Sequence, residues 1–174
     1  MPRIVNPQVI SAFTAEGAAT QYQAVTTGTA DTQVDCTASV TVGRRTHVGR
    51  RAQVFTHAHD VSRRSVPVLE APVTSASVVI GDDVTIGHKV LVHGCTIEDR
   101  VLIGMGSTLM DGAVIRSEVL LGAGSLVVEG QELEGGYLWM GRPARRRRAL
   151  TDEERSWFTY VAKHYAELKN DYLR

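Results

Sequence analysis

Aliphatic residues recur every six positions through the middle of the chain, at Ile80, Ile86 and Val92, then after one five-residue step at Ile97, Ile103, Leu109, Ile115, Leu121 and Val127. Four residues after most of them stands a small or short-branched residue: Val84, Val90, Val101, Ser107, Ala113, Val119 and Ser125. A step of six matches neither the 3.6-residue turn of a helix nor the two-residue alternation of a strand. It matches a solenoid whose coil is three short strands, with coils stacked about 4.8 Å apart and the aliphatic residues piled into inward columns. Gly81, Gly87, Gly104 and Gly122 follow those aliphatics, and the expectation is that they serve corners where other residues would be strained.

Such hexapeptides resemble the left-handed parallel β-helix family, which implies an all-β solenoid. Val42, Val48 and Val54 carry the same step upstream, so the predicted organisation is an N-terminal cover or degenerate coils over 1–33, the solenoid over 34–150 and a helix over 151–174. No strands can be placed in 1–33. The segment 59–77 breaks the step and contains two prolines, so it reads as an inserted loop, which solenoids tolerate at corners. After Val128 the repeat fades through EGQELEGGYLWM. Arg145–Arg148 then read as a solvated linker before the helix, and Arg44, Arg45, Arg50 and Arg51 as solvated charges on corners.

Thr151 with Glu154 three residues on forms a capping box that starts the helix. Trp157, Phe158, Val161, Tyr165, Leu168 and Tyr172 give that helix an apolar stripe, suited to packing on the solenoid or on a neighbouring subunit. The charges balance at 19 against 19, so no global field recruits nucleic acid or a membrane. Cys36 and Cys95 make no disulfide framework. With no apolar run long enough for a span and no signal-peptide layout, the expected location is cytoplasmic.

His88 and His93 lie inside the repeat at positions outside the core columns. Five residues apart on a coil, they do not converge on one ion within a chain. In a closed homotrimer, one subunit's His88 can face the next subunit's His93. A third imidazole, from His57 or His59, completes a three-histidine site with an open position for water, the pattern of catalytic zinc.

The stretch IGDDVTIGHKVLVHGCTIEDRVLIGMGSTLMDGAVI, with LLGAGSLVVEGQELEGGYLWMGRPARRRRALTDEE and the terminal HYAELKNDYL, resembles the γ-class carbonic anhydrase family. There IGH followed by HGC supplies two of three zinc ligands, which implies His88 and His93 here, with the metal between subunits of a trimer. The first half departs from that pattern. The family's upstream Arg-Gly-Asp segment has no counterpart, its water-orienting glutamine falls where this chain reads HVGR, and its first histidine aligns with Phe55. His57, two residues on, is the preferred third ligand and His59 the alternative. Asp60 and Glu70, on the inserted loop, are candidate proton acceptors. Zinc is the expected metal, with iron or cobalt possible, and the expected chemistry is hydration, dehydration or hydrolysis of a small molecule, with carbon dioxide a poor substrate.

VGRRAQVFTHAHD, PVLEAPV and VVIGDDV resemble instead the hexapeptide O- and N-acetyltransferases. That resemblance implies a CoA-dependent acyltransferase with His59 as general base and CoA phosphates near Arg145–Arg148. A metal-stabilised trimeric scaffold without catalysis is a third expectation.

Overall fold

A computed structural model describes residues 20–22, 33–35, 38–60, 67 and 70–172. Its strands are β1 (Thr20–Tyr22), β2 (Gln33–Asp35), β3 (Val40–Val42), β4 (His47–Val48), β5 (Gln53–Phe55), β6 (His57–His59) and β7 (Val73–Ser75). Then follow β8 (Val78–Ile80), β9 (Thr85–Ile86), β10 (Leu91–His93), β11 (Thr96–Ile97), β12 (Leu102–Ile103) and β13 (Thr108–Leu109). The last are β14 (Val114–Ile115), β15 (Leu120–Leu121), β16 (Leu126–Val127), β17 (Glu132–Leu133), β18 (Tyr137–Met140) and β19 (Arg145–Ala149), before helix α1 (Asp152–Tyr172).

The strands stack in parallel on three faces of a left-handed β-helix. One face runs β3-β8-β11-β14-β17, the next β4-β9-β12-β15-β18, and the third β2-β5-β10-β13-β16. Register brings the six-step aliphatics into columns. Val42, Ile80, Ile97, Ile115 and Leu133 are successive partners on the first face. Val48, Ile86, Ile103, Leu121 and Trp139 follow one another on the second, and Val54, Val92, Leu109 and Val127 on the third. From Ile80 to Leu133 these columns are essentially sealed from solvent, and each buried Val, Leu or Ile contributes about 1.5–3 kcal/mol. The repeat does not fade after Val128: Leu133 and Trp139 continue it, and the glycines and Tyr137 between them only hide it from the eye.

The strain expected at the glycines after the aliphatics comes from the next coil and not from their own backbone conformation. Gly81, Gly87, Gly104 and Gly122 have no positive φ. A Cβ on Gly87 would lie 2.7 Å from the backbone nitrogen of Met105 in the next coil, so the limit there is coil-to-coil approach. The left-handed conformation falls two residues later, where it is held by glycine, as at Gly106 and Gly124, or by a charged residue, as at Arg45, Arg51, Asp83, Lys89, Arg100 and Glu118. On the corner between the first and second faces these residues pair across coils. Arg45 donates two 2.6 Å hydrogen bonds to Asp83, Arg44 binds Asp82, and Arg100 and Arg155 both reach Glu118. Arg44 and Arg45 are therefore ion-paired, contrary to the solvated reading.

Irregularity gathers on the corner between the third and first faces. In the first coil that corner carries the inserted segment, whose described ends form the antiparallel hairpin β6–β7; 61–66 and 68–69 lie outside the described residues. In the next coil the same corner is one residue short, and Gly94 takes the left-handed position with φ 48°. In the segment 1–33, β1 pairs antiparallel with β3; β2, which runs on to Asp35, pairs in parallel with β5; and the rest lies outside the described residues.

Arg145–Arg148 form no linker. They belong to β19, which pairs antiparallel with β18 and closes the second face. There Arg148 holds Glu154 with two 2.7 Å hydrogen bonds, and Arg146 pairs with Glu134. The capping box forms as expected: Glu154 accepts from the Thr151 backbone at 2.9 Å, and its own N–H donates to the Thr151 hydroxyl at 3.2 Å. Helix α1 then packs on β4 and β9, with Phe158 buried and Trp157 half exposed; the side chains of Tyr165, Leu168 and Tyr172 lie outside the described residues. Among the described residues no helix is long and apolar enough to cross a membrane.

Candidate metal centre

His88 and His93 sit at opposite ends of one strand on the third face. His88 is two residues past Ile86, on the turn that leads into β10, and His93 closes β10. The strand between them holds the two imidazoles on different corners, and each corner has its own company.

At the His93 corner, Nδ1 lies 2.6 Å from Oδ1 of Asp111, on the next coil. A carboxylate only accepts, so Nδ1–H donates, and in the neutral imidazole Nε2 then keeps its lone pair for a metal. A ligating histidine commonly has this arrangement, in which the outer carboxylate fixes both tautomer and ring orientation. Phe55 is the register partner of His93 on the preceding coil, and the two rings stack with centroids 6.0 Å apart. The position under His93 therefore holds an apolar ring and no donor. The hairpin leaves from this corner: the Phe55 carbonyl accepts from Gly94 N–H and the Thr56 carbonyl from Ala76 N–H.

His57 and His59 stand on β6, opposite Ser75 and Val73, and their rings meet edge to face at 5.9 Å. Nδ1 of His59 is buried without a hydrogen-bond partner among the described residues. Asp60 donates its backbone N–H to the Pro72 carbonyl, and Glu70 is exposed in the returning arm of the segment. The third-face corner thus gathers His93, Asp111 and the base of the hairpin. His88 stays apart from them.

At the His88 corner a different neighbour appears. His47 and His88 line one cavity of about 340 Å³ between the second face and Val161 of helix α1. Burial, and then the nearby His88, pull the His47 imidazole down to about 4, so it is neutral at pH 7. Sequence reading passed over His47 and Asp111. The signal for Asp111 was present: it lies 18 residues from His93, one residue beyond the 17-residue coil that pairs Val92 with Leu109. Among the described residues no three His, Cys, Asp or Glu side chains of one chain cluster as a metal site. Two imidazoles on opposite corners, one of them aimed by a carboxylate, fit a metal that draws donors from two subunits.

A model of the hexapeptide repeat of succinyl-transferase matches residues 77–109 and 94–129. The chain is 58% identical over 94 residues to the protein YrdA of Escherichia coli, covering 54% of this chain and 51% of that one. It is 45% identical over 130 residues to the mitochondrial gamma carbonic anhydrase 3 of Arabidopsis thaliana, covering 75% and 46%. It thus spans about half the length of the curated relatives it matches. The crystal structure of a hexapeptide transferase family protein from Anaplasma phagocytophilum superposes with a TM-score of 0.63 at 34% identity, covering 75% of this chain and 68% of that one. The chain belongs to the γ-carbonic-anhydrase-like family of hexapeptide-repeat proteins.

Proposed function

We propose that the chain is a zinc enzyme of the γ-carbonic-anhydrase type, working as a homotrimer with His88 of one subunit and His93 of the next as ligands. His57 is the third ligand in this reading and His59 its alternative; iron or cobalt suits the same imidazole donors. The observation that carries it is the 2.6 Å hydrogen bond from His93 to Asp111, which commits Nε2 to an acceptor role on an outer corner. When bound, the metal supplies a Lewis acid that brings the pKa of a coordinated water toward neutrality. Asp111 keeps the imidazole in one tautomer, and the Phe55 ring covers a flank of His93 and excludes water there. Asp60 and Glu70, on the segment that leaves beside His93, serve as proton acceptors for hydration, dehydration or hydrolysis of a small electrophile. Elemental analysis and anomalous scattering on purified protein test the reading: about one zinc per subunit is expected, and a protein that takes up no metal at neutral pH contradicts it.

A second reading is a CoA-dependent acyltransferase with His59 as general base, favoured by the buried Nδ1 of that residue, which has no hydrogen-bond partner among the described residues. Saturable micromolar binding of acetyl-CoA by calorimetry would support it. The absence of binding at millimolar acetyl-CoA would remove it.

A further inference from the structure

The tripeptide Gly-Arg-Arg occurs twice in the first coil, at 43–45 and 49–51, and meets opposite fates. Above the first copy the next coil places Gly-Asp-Asp, and both arginines are neutralised by direct ion pairs. Above the second it places Gly-His-Lys. Register sets Val48 beside Ile86, so continuing the coil stacks Arg50 with His88 and Arg51 with Lys89. The backbone bears out the alignment, since Lys89 N–H donates to the Arg50 carbonyl at 3.1 Å.

The four side chains line a cleft of about 380 Å³ by themselves. Neither Arg51 nor Lys89 has a carboxylate partner among the described residues. Both hold left-handed backbone, φ 62° and 59°, at a corner position that later coils give to Gly106 and Gly124. The comparable residues of the other corner, Arg45 with Asp83 and Arg100 with Glu118, are joined by ion pairs. Arg51 and Lys89 instead occupy the same corner position on successive coils, whose backbones lie about 4.8 Å apart, and like charges brought together there repel.

We propose that this corner is a phosphate-binding site and that the substrate of the adjacent metal centre carries a phosphate group. The proposal rests on the metal reading for its placement beside His88. Arg51 and Lys89, permanent cations with no carboxylate partner among the described residues, call for an anion of two charges. They come from two coils, and the Arg50 and His88 side chains line the same cleft, so donors approach a ligand there from several sides. A tetrahedral phosphate offers oxygens in those directions, whereas a carboxylate presents two oxygens in one plane.

Calorimetric titration of the zinc-loaded protein with pyrophosphate, inorganic phosphate and acetate at low salt tests this, with metal content measured on each sample. Saturable binding of the two phosphates and none of acetate is expected. Arg51→Ser with Lys89→Ser should weaken phosphate binding about tenfold or more, while Arg145→Ser with Arg147→Ser leaves it unchanged. A zinc-replete protein that ignores millimolar pyrophosphate, or one whose binding is lost only with Arg145 and Arg147, overturns the proposal. Phosphate binding by a protein that takes up no metal instead refutes the metal reading and leaves the anion site standing.

Discussion

Asp111 holds the imidazole of His93 from one coil away, Nδ1 to Oδ1 at 2.6 Å, on a corner that also carries the one-residue deletion and the inserted hairpin. Neither residue packs in a core column, so the pair orients a donor and contributes little to the solenoid. Asp111→Asn should therefore lower metal affinity by about 10–100-fold with the melting temperature of the metal-free protein unchanged. Competition with a chelator measures the first and differential scanning fluorimetry the second.

Phe55 and His93 are register partners with stacked rings. Phe55→His places a donor beside a ligand, so His57→Ala should lose zinc while Phe55→His with His57→Ala regains it. Zinc retention in His57→Ala alone, with loss in His59→Ala, assigns the third ligand to the other member of the hairpin.

The columns and the coil approach predict two different kinds of damage. Ile103→Ala empties a fully buried site and should cost about 2–5 kcal/mol in denaturant unfolding. Gly104→Ala drives a methyl into the backbone of Ala123 and should cost about 1–3 kcal/mol though it removes nothing. A neutral Gly104→Ala contradicts the close-approach account.

The Arg148 guanidinium, then the Thr151 N–H, pull the Glu154 carboxyl from 4.5 down to about 2. Between those values the unfolded chain binds the proton and the folded chain does not. The stability this supplies is complete above pH 4.5 and is lost as pH falls through 2. Glu154→Gln should flatten the decline of melting temperature between pH 4.5 and 2 relative to the parent chain. An identical acid profile would show that the box contributes nothing.

The solenoid was legible because a six-residue step suits neither a helix nor a flat sheet, and the columns Ile80–Leu133 follow from it directly. The role of the glycines was not, since spacing cannot tell a collision with the next coil from a demand for positive φ. Arg44 and Arg45 pair with residues 38 positions on, across the inserted segment, so their partners were invisible to any local pattern. His88 and His93 stood out as histidines off the core columns. Asp111 was missed because nothing in the sequence ties a lone aspartate to a histidine one coil away until coil length is counted. His47 was missed because the helix packed over β4, which helps bury it, is a tertiary feature.

The account's central claim is that one metal is shared by His88 and His93 of different subunits. Elemental analysis of trimers assembled from equal amounts of His88→Ala and His93→Ala chains tests it most directly. Each variant alone should hold no zinc, and the mixture should recover roughly a quarter of the sites, since one interface in four then pairs an intact His88 with an intact His93. Zinc retained by either variant alone, or a mixture as empty as its components, would contradict it.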